Sequence, residues 1–158
     1  LNKQQTNPLQ TKNTNPTDKL PEKLKTAYKK TQKSSPIIES LKVAAALKLW
    51  NDRGYRDIQF EAPIAYGGKM VFVKVLAKHA DGVLVGIECA STVRLEQLRK
   101  RITVLQGCLP PDTYIIAVFP ETHEKQAKKA TQYTDEVWVT GKNGTINQMM
   151  FSSYLGRE

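Results

Sequence analysis

A chain of 158 residues with 24 Lys and Arg against 15 Asp and Glu carries a formal charge of +9, and that length suits one ordinary hydrophobic core. Two cysteines with no CxxC or histidine-rich spacing exclude a disulfide framework and a structural zinc site. No apolar run approaches the ~20 residues of a membrane span and no signal peptide is visible, so a cytoplasmic location without membrane attachment is expected.

In chain order, residues 1–18 are polar, with Pro8 and Pro16 and almost nothing to bury, which predicts an arm without fixed structure. Lys19 to Lys33 places Leu20, Leu24 and Tyr28 on one face of a short basic helix. The domain division expected is a flexible basic arm, 1–34, and one folded domain, 35–158. The charge follows that division. Residues 1–35 hold eight lysines against Asp18 and Glu22, a net +6, while the rest hold 16 basic and 13 acidic groups, a net +3. A basic arm on a mildly basic domain suits a polyanion, most commonly nucleic acid, with a solubilising tail as the competing reading.

Ser35 as N-cap, Pro36 at the first helical position and Glu39 in the first turn mark a helix start. Ile38, Leu41, Ala45 and Leu49 then recur at helical spacing until Gly54. A strand follows over 57–64, a turn at Tyr66-Gly67-Gly68, and a hairpin over 70–90. Thr92 to Gln106 predicts a second helix with Leu95, Leu98, Ile102 and Leu105 inward, stopped by Gly107. Pro110 and Pro111 precede an apolar strand, Tyr114 to Phe119. A third helix is predicted over 123–133 and a strand over Glu136 to Thr140, with the tail from Thr145 left as strand or helix. The order α-β-β-β-α-β-α-β, with tight turns first and helical crossovers after, gives a mixed central sheet flanked by helices.

The hairpin is the most informative stretch. Alternation puts Val71, Val73, Val75 and Ala77 on one face with Val83, Val85, Ile87 and Cys89. Lys74 and Glu88 then share the other face with Met70, Phe72, Leu76 and Leu84. With Asp81 and Gly82 in a short turn, Lys74 falls opposite Glu88. A lone buried charge is too costly to keep, so the two either pair or serve a site.

This element order and hairpin resemble the restriction-endonuclease-like superfamily, the PD-(D/E)xK nucleases, and within it the archaeal Holliday-junction resolvases. The resemblance covers residues 37–140. In that family one hairpin arm reads apolar-Asp-apolar and the other apolar-Glu-x-Lys. Here they read Val73-Lys74-Val75 and Ile87-Glu88-Cys89-Ala90, and the family's helical glutamate falls on Glu39. The resemblance implies a divalent ion held by the acidic residues, but Lys74 puts a cation in place of the aspartate, and Ala90 removes the lysine. Glu39, Glu88 and Lys74 are therefore a degenerate catalytic set. No metal or other cofactor is expected, and magnesium on Glu39 and Glu88 only if the site is active. Glu61 and Asp81 are the other carboxylates considered for such a site. A Lys74–Glu88 salt bridge where relatives hold metal is the structural expectation.

The resemblance places the helix after the hairpin beside the cleft, so Arg94, Gln97 and Arg101 are candidate phosphate contacts. Arg53 and Arg56 form a second candidate patch, and Lys29, Lys30 and Lys33 the basic arm's contribution. The function expected is DNA binding by a catalytically degraded nuclease core in replication, recombination, repair or a mobile element. Two alternatives stand beside it: an active metal-dependent endonuclease with a rearranged site, and a non-catalytic interaction subunit. The partners expected are DNA and either a second copy or a heteromeric nuclease or replication partner.

Overall fold

The computed structural model describes residues 16–91 and 94–152. Six strands form one mixed sheet in sequential order: β1 Asp57–Tyr66, β2 Lys69–Lys78, β3 Leu84–Cys89, β4 Tyr114–Phe119, β5 Glu136–Thr140 and β6 Ile146–Phe151. The β1–β2–β3 meander is antiparallel, β3–β4–β5 is parallel, and β6 returns antiparallel to β5. The helices are α1 Glu22–Lys29, α2 Pro36–Arg53, α3 Leu95–Cys108 and α4 Glu124–Ala130. No helix among the described residues is long and apolar enough to cross a membrane.

The parallel strands are covered on both faces, and their residues alternate between two cores. Ile116, Val118 and Trp138 pack with Leu24 of α1 and Leu41, Ala45 and Leu49 of α2. Ile115, Ala117, Phe119, Val137 and Val139 pack with Leu98, Ile102 and Leu105 of α3 and Ala127 and Ala130 of α4. Near-continuous apolar strands are what such two-sided burial requires.

The predicted core elements are found, and the tail from Thr145 supplies a strand. The start of α2 is as read: Pro36 is its first residue and the Ser35 side chain accepts from the Ile38 N–H at 3.4 Å. The Gly67-Gly68 turn joins β1 to β2 with both residues left-handed, φ 58° and 77°, as a two-residue hairpin turn of this hand demands.

Three expectations need correcting. The division at residue 34 does not hold for the described part of the arm. Leu20, Leu24 and Tyr28 are buried in the same core as α2 and Phe60, because their spacing lays an apolar stripe against β1. Residues 1–15 lie outside the described residues. Gly107 does not stop α3, which runs to Cys108; a Cβ there would stand 2.7 Å from the Tyr66 hydroxyl, so the glycine admits that ring. Finally, the hairpin does not keep one apolar face throughout. Val75 and Ala77 enter the α2 core, but Val73 enters the α3 core, and on β1 Phe60 and Ala62 divide in the same way. Between Phe60 and Ala62 lies Glu61, whose φ of 47° is the positive value among non-glycine residues described. The strand turns over there, and it leaves Met70 and Phe72 exposed.

Candidate functional site

Where the hairpin turns over, charged side chains from α2, β1, β2, β3 and α3 converge. Lys42 lies on the buried face of α2 and has no exposed surface at all. Its ammonium donates to Glu39 Oε2 at 2.9 Å, one turn earlier, and to Glu61 Oε2 at 2.7 Å across on β1. Glu61 Oε1 also lies 3.8 Å from Lys74 Nζ. Glu39 Oε1 accepts from the Tyr28 hydroxyl at 2.6 Å, and Oε2 from the Ser34 N–H at 2.7 Å. Burial pushes the Glu39 carboxyl upward, but the donors from Tyr28, Ser34 and Lys42 outweigh it and hold it below the ordinary value.

Glu88 sits deeper, 5% exposed, and its nearest cation is Arg101 of α3, with Nε 3.6 Å from Oε2. Its Oε1 accepts from the Cys89 N–H at 3.1 Å. Burial raises its pKa, and the charges of Arg101 and Lys74 only partly oppose that. The β2–β3 ladder ends at Val75 and Ile87, one position short of Lys74 and Glu88, and the salt bridge expected between those two is not formed. Lys74 leans to Glu61 and Glu88 to Arg101, because Glu61 enters from β1 where the strand turns over.

The structure thus brings Glu39, Lys74 and Glu88 to one end of the sheet and adds Lys42 and Glu61. Asp81 is remote in its turn, bonded to the Val83 N–H at 3.0 Å and beside His79. The donor set does not fit a divalent ion. Glu39 and Glu61 already spend oxygens on a buried ammonium, and any ion between them would face that charge at contact distance. Among the described residues no three His, Cys, Asp or Glu side chains are grouped to hold a metal.

A cleft of about 400 Å³ opens beside this network, lined by Lys74, Glu88, Lys100 and Arg101 together with Val71, Phe72 and Leu105. Of the candidate phosphate contacts on α3, Arg101 lies in it, and Lys100 joins it in place of Arg94 and Gln97, which are exposed near the helix start. Arg53 is not available to a ligand. Its fork closes on the buried Glu136 at 2.8 and 2.5 Å and stacks on Trp138, while Glu136 also accepts from Tyr114 and Trp138. Arg56 lies over the Trp50 ring and donates to the Trp50 and Tyr55 carbonyls. Lys33 folds back on the Tyr28 and Thr31 carbonyls. Lys29 and Lys30 are exposed at the end of α1.

No protein-family model and no curated protein matches the chain. Among solved structures it is similar to an XisH family protein from Nostoc punctiforme, at 16% identity and a TM-score of 0.52, covering 72% of this chain and 98% of that one. A fdxN element excision controlling factor protein from Anabaena variabilis follows at 19% identity and TM-score 0.49, over 72% and 96%. A repair endonuclease from Pyrococcus abyssi aligns at 24% identity and TM-score 0.37, over 63% of this chain and 45% of that one. The likeness to the first of these, over 72% of this chain and 98% of that one, is one of fold, and the mixed six-stranded sheet with helices on both faces is of restriction-endonuclease-like α/β type.

Proposed function

We propose that this chain binds DNA through a nuclease-type core that grips the strand without cutting it, in replication, recombination, repair or a mobile element. The observation that carries the reading is Lys42, wholly buried and bonded to both Glu39 and Glu61. A metal-dependent nuclease needs its carboxylates free to share an ion with the scissile phosphate. Here two of them are neutralised from within, and the third, Glu88, is buried beside Arg101, with its pKa raised by that burial. Lys74, Lys100 and Arg101 remain around the cleft as phosphate partners, and the lysines of α1 add a sequence-independent attraction.

The test is incubation of the purified chain with branched, nicked and linear DNA in magnesium or manganese. The expected outcome is a salt-sensitive complex and intact DNA. Metal-dependent cleavage that disappears in Glu88→Ala would overturn the proposal, as would calorimetric binding of manganese by the protein alone.

A further inference from the structure

The ion-pair network explains Glu39, Lys42 and Glu61, and phosphate contacts would use the cations of the cleft beside it, but neither accounts for that cleft's apolar walls or for Glu88. Its make-up is unusual for a phosphate groove. Val71 and Leu105 give it apolar walls, and the Phe72 ring stands at it 53% exposed, although it belongs to a strand whose neighbours Val71 and Val73 turn inward. Lys100 and Arg101 project from one side of it. Glu88 also lines it. Of that carboxylate's two oxygens, Oε1 is used by the Cys89 N–H, while Oε2 makes no hydrogen bond among the described residues and stands 3.6 Å from the Arg101 Nε, with the charge of Lys74 also acting on it.

These features select a ligand by elimination. A purely apolar guest would strand the Glu88 oxygen without a donor. A simple anion would meet that carboxylate. Paired bases in a duplex are stacked away from any such slot. A flat, largely apolar ring carrying an N–H donor at its edge and a phosphate beside it satisfies every wall, and the volume lies within the range of small-ligand pockets. We propose that the cleft takes one unpaired DNA nucleotide: its base lies against Phe72 and Leu105, its exocyclic amino group donates to Glu88 Oε2, and its flanking phosphates meet Lys100 and Arg101. Carboxylates accept from the amino groups of cytosine and adenine; an unpaired thymine has no amino group, and its single N3–H lies between two carbonyl oxygens that would face the carboxylate. The cleft therefore prefers cytosine or adenine to thymine. This assignment rests on the DNA-binding reading above.

The experiment is a set of anisotropy titrations of the full chain at one fixed salt. The probes are labelled duplexes that are fully paired, or carry one unpaired cytosine, adenine, thymine or abasic site. Unpaired cytosine and adenine should bind about tenfold more tightly than the abasic site, the scale of one base–aromatic stack, and more tightly than thymine. Phe72→Ala should shrink the cytosine-over-abasic ratio, and Glu88→Gln should shrink the cytosine-over-thymine ratio, since an amide can also donate to thymine. Equal binding of the unpaired bases and the abasic site, with the complexes still forming, overturns the nucleotide pocket and leaves DNA binding standing. Equal binding of cytosine and thymine overturns the role given to Glu88. Absence of any complex removes the DNA-binding reading and this one with it. The wild-type series decides the matter even if a variant fails to fold.

Discussion

Lys42 shows what a single position can conceal. It lies four residues after Ile38 and three before Ala45, on the stripe that includes Leu41 and Leu49, so its burial follows from helical spacing. A lysine is normally assigned to solvent by its type alone, and the partner that admits it, Glu61, comes from a strand 19 residues away. No local pattern shows the φ of 47° that aims Glu61 inward. Lys42→Met should therefore cost about 3–5 kcal/mol in denaturant unfolding, because it leaves Glu39 and Glu61 close together without their cation. Arg53→Ala should lose a similar ~3–5 kcal/mol through the uncompensated Glu136, while leaving the salt dependence of DNA binding unchanged. The sign is opposite at Glu88. Its folded-state pKa is raised by burial, so its contribution is favourable below the ordinary carboxylate range and is lost as pH rises through the folded value. Thermal melts of Glu88→Gln should show a variant more stable than the parent at neutral pH, with the difference closing toward about pH 4.

At the scale of elements, the strands and helices of the central core were legible because each has its own local signal. Tyr114–Phe119 and Glu136–Thr140 are apolar runs between turn residues and match the strands found, residue for residue. The hairpin's register was legible for the same reason. Its handedness of facing was not, since period-two alternation assumes an unbroken pleat and Glu61 breaks it. The first helix is visible in the sequence as a stripe, but its charge reads as that of an arm. Lys23 and Lys29 are exposed while Leu24 and Tyr28 are buried, and Lys23 donates to the Arg56 carbonyl at 3.2 Å. Charge described the outer surface of α1 and said nothing of the inner one. Leu24, 1% exposed, packs with Phe60 and Leu41 in the main core. Leu24→Ala should cost about 2–5 kcal/mol in the global unfolding transition. A dispensable arm would show no change in the midpoint.

For the molecule as a whole, the fold positions a small number of cations at one end of the sheet and more along α1. If both sets meet the same DNA backbone, charge reversal at exposed sites outside the cleft should weaken binding uniformly across sequences. Lys29→Glu with Lys30→Glu is expected to reduce the slope of log affinity against log salt by roughly two, near one for each phosphate no longer neutralised. An unchanged slope would restrict binding to the cleft. Glu39, Lys74 and Glu88, which the sequence singles out together, do lie at one end of the sheet. What was not recognisable was the mutual pairing of these groups, which depends on how five elements meet in space.

The cation that Glu39 and Glu61 share is tethered to the backbone. Chelators cannot strip it, dilution cannot release it, and no change in the surrounding ionic medium exchanges it for another. Restoring an acidic residue at position 74 alone would set a further anion beside Glu61 while Lys42 stayed in place. Under the proposed reading, metal-dependent hydrolysis at this site would demand several coordinated substitutions, with Lys42 and Lys74 both among them.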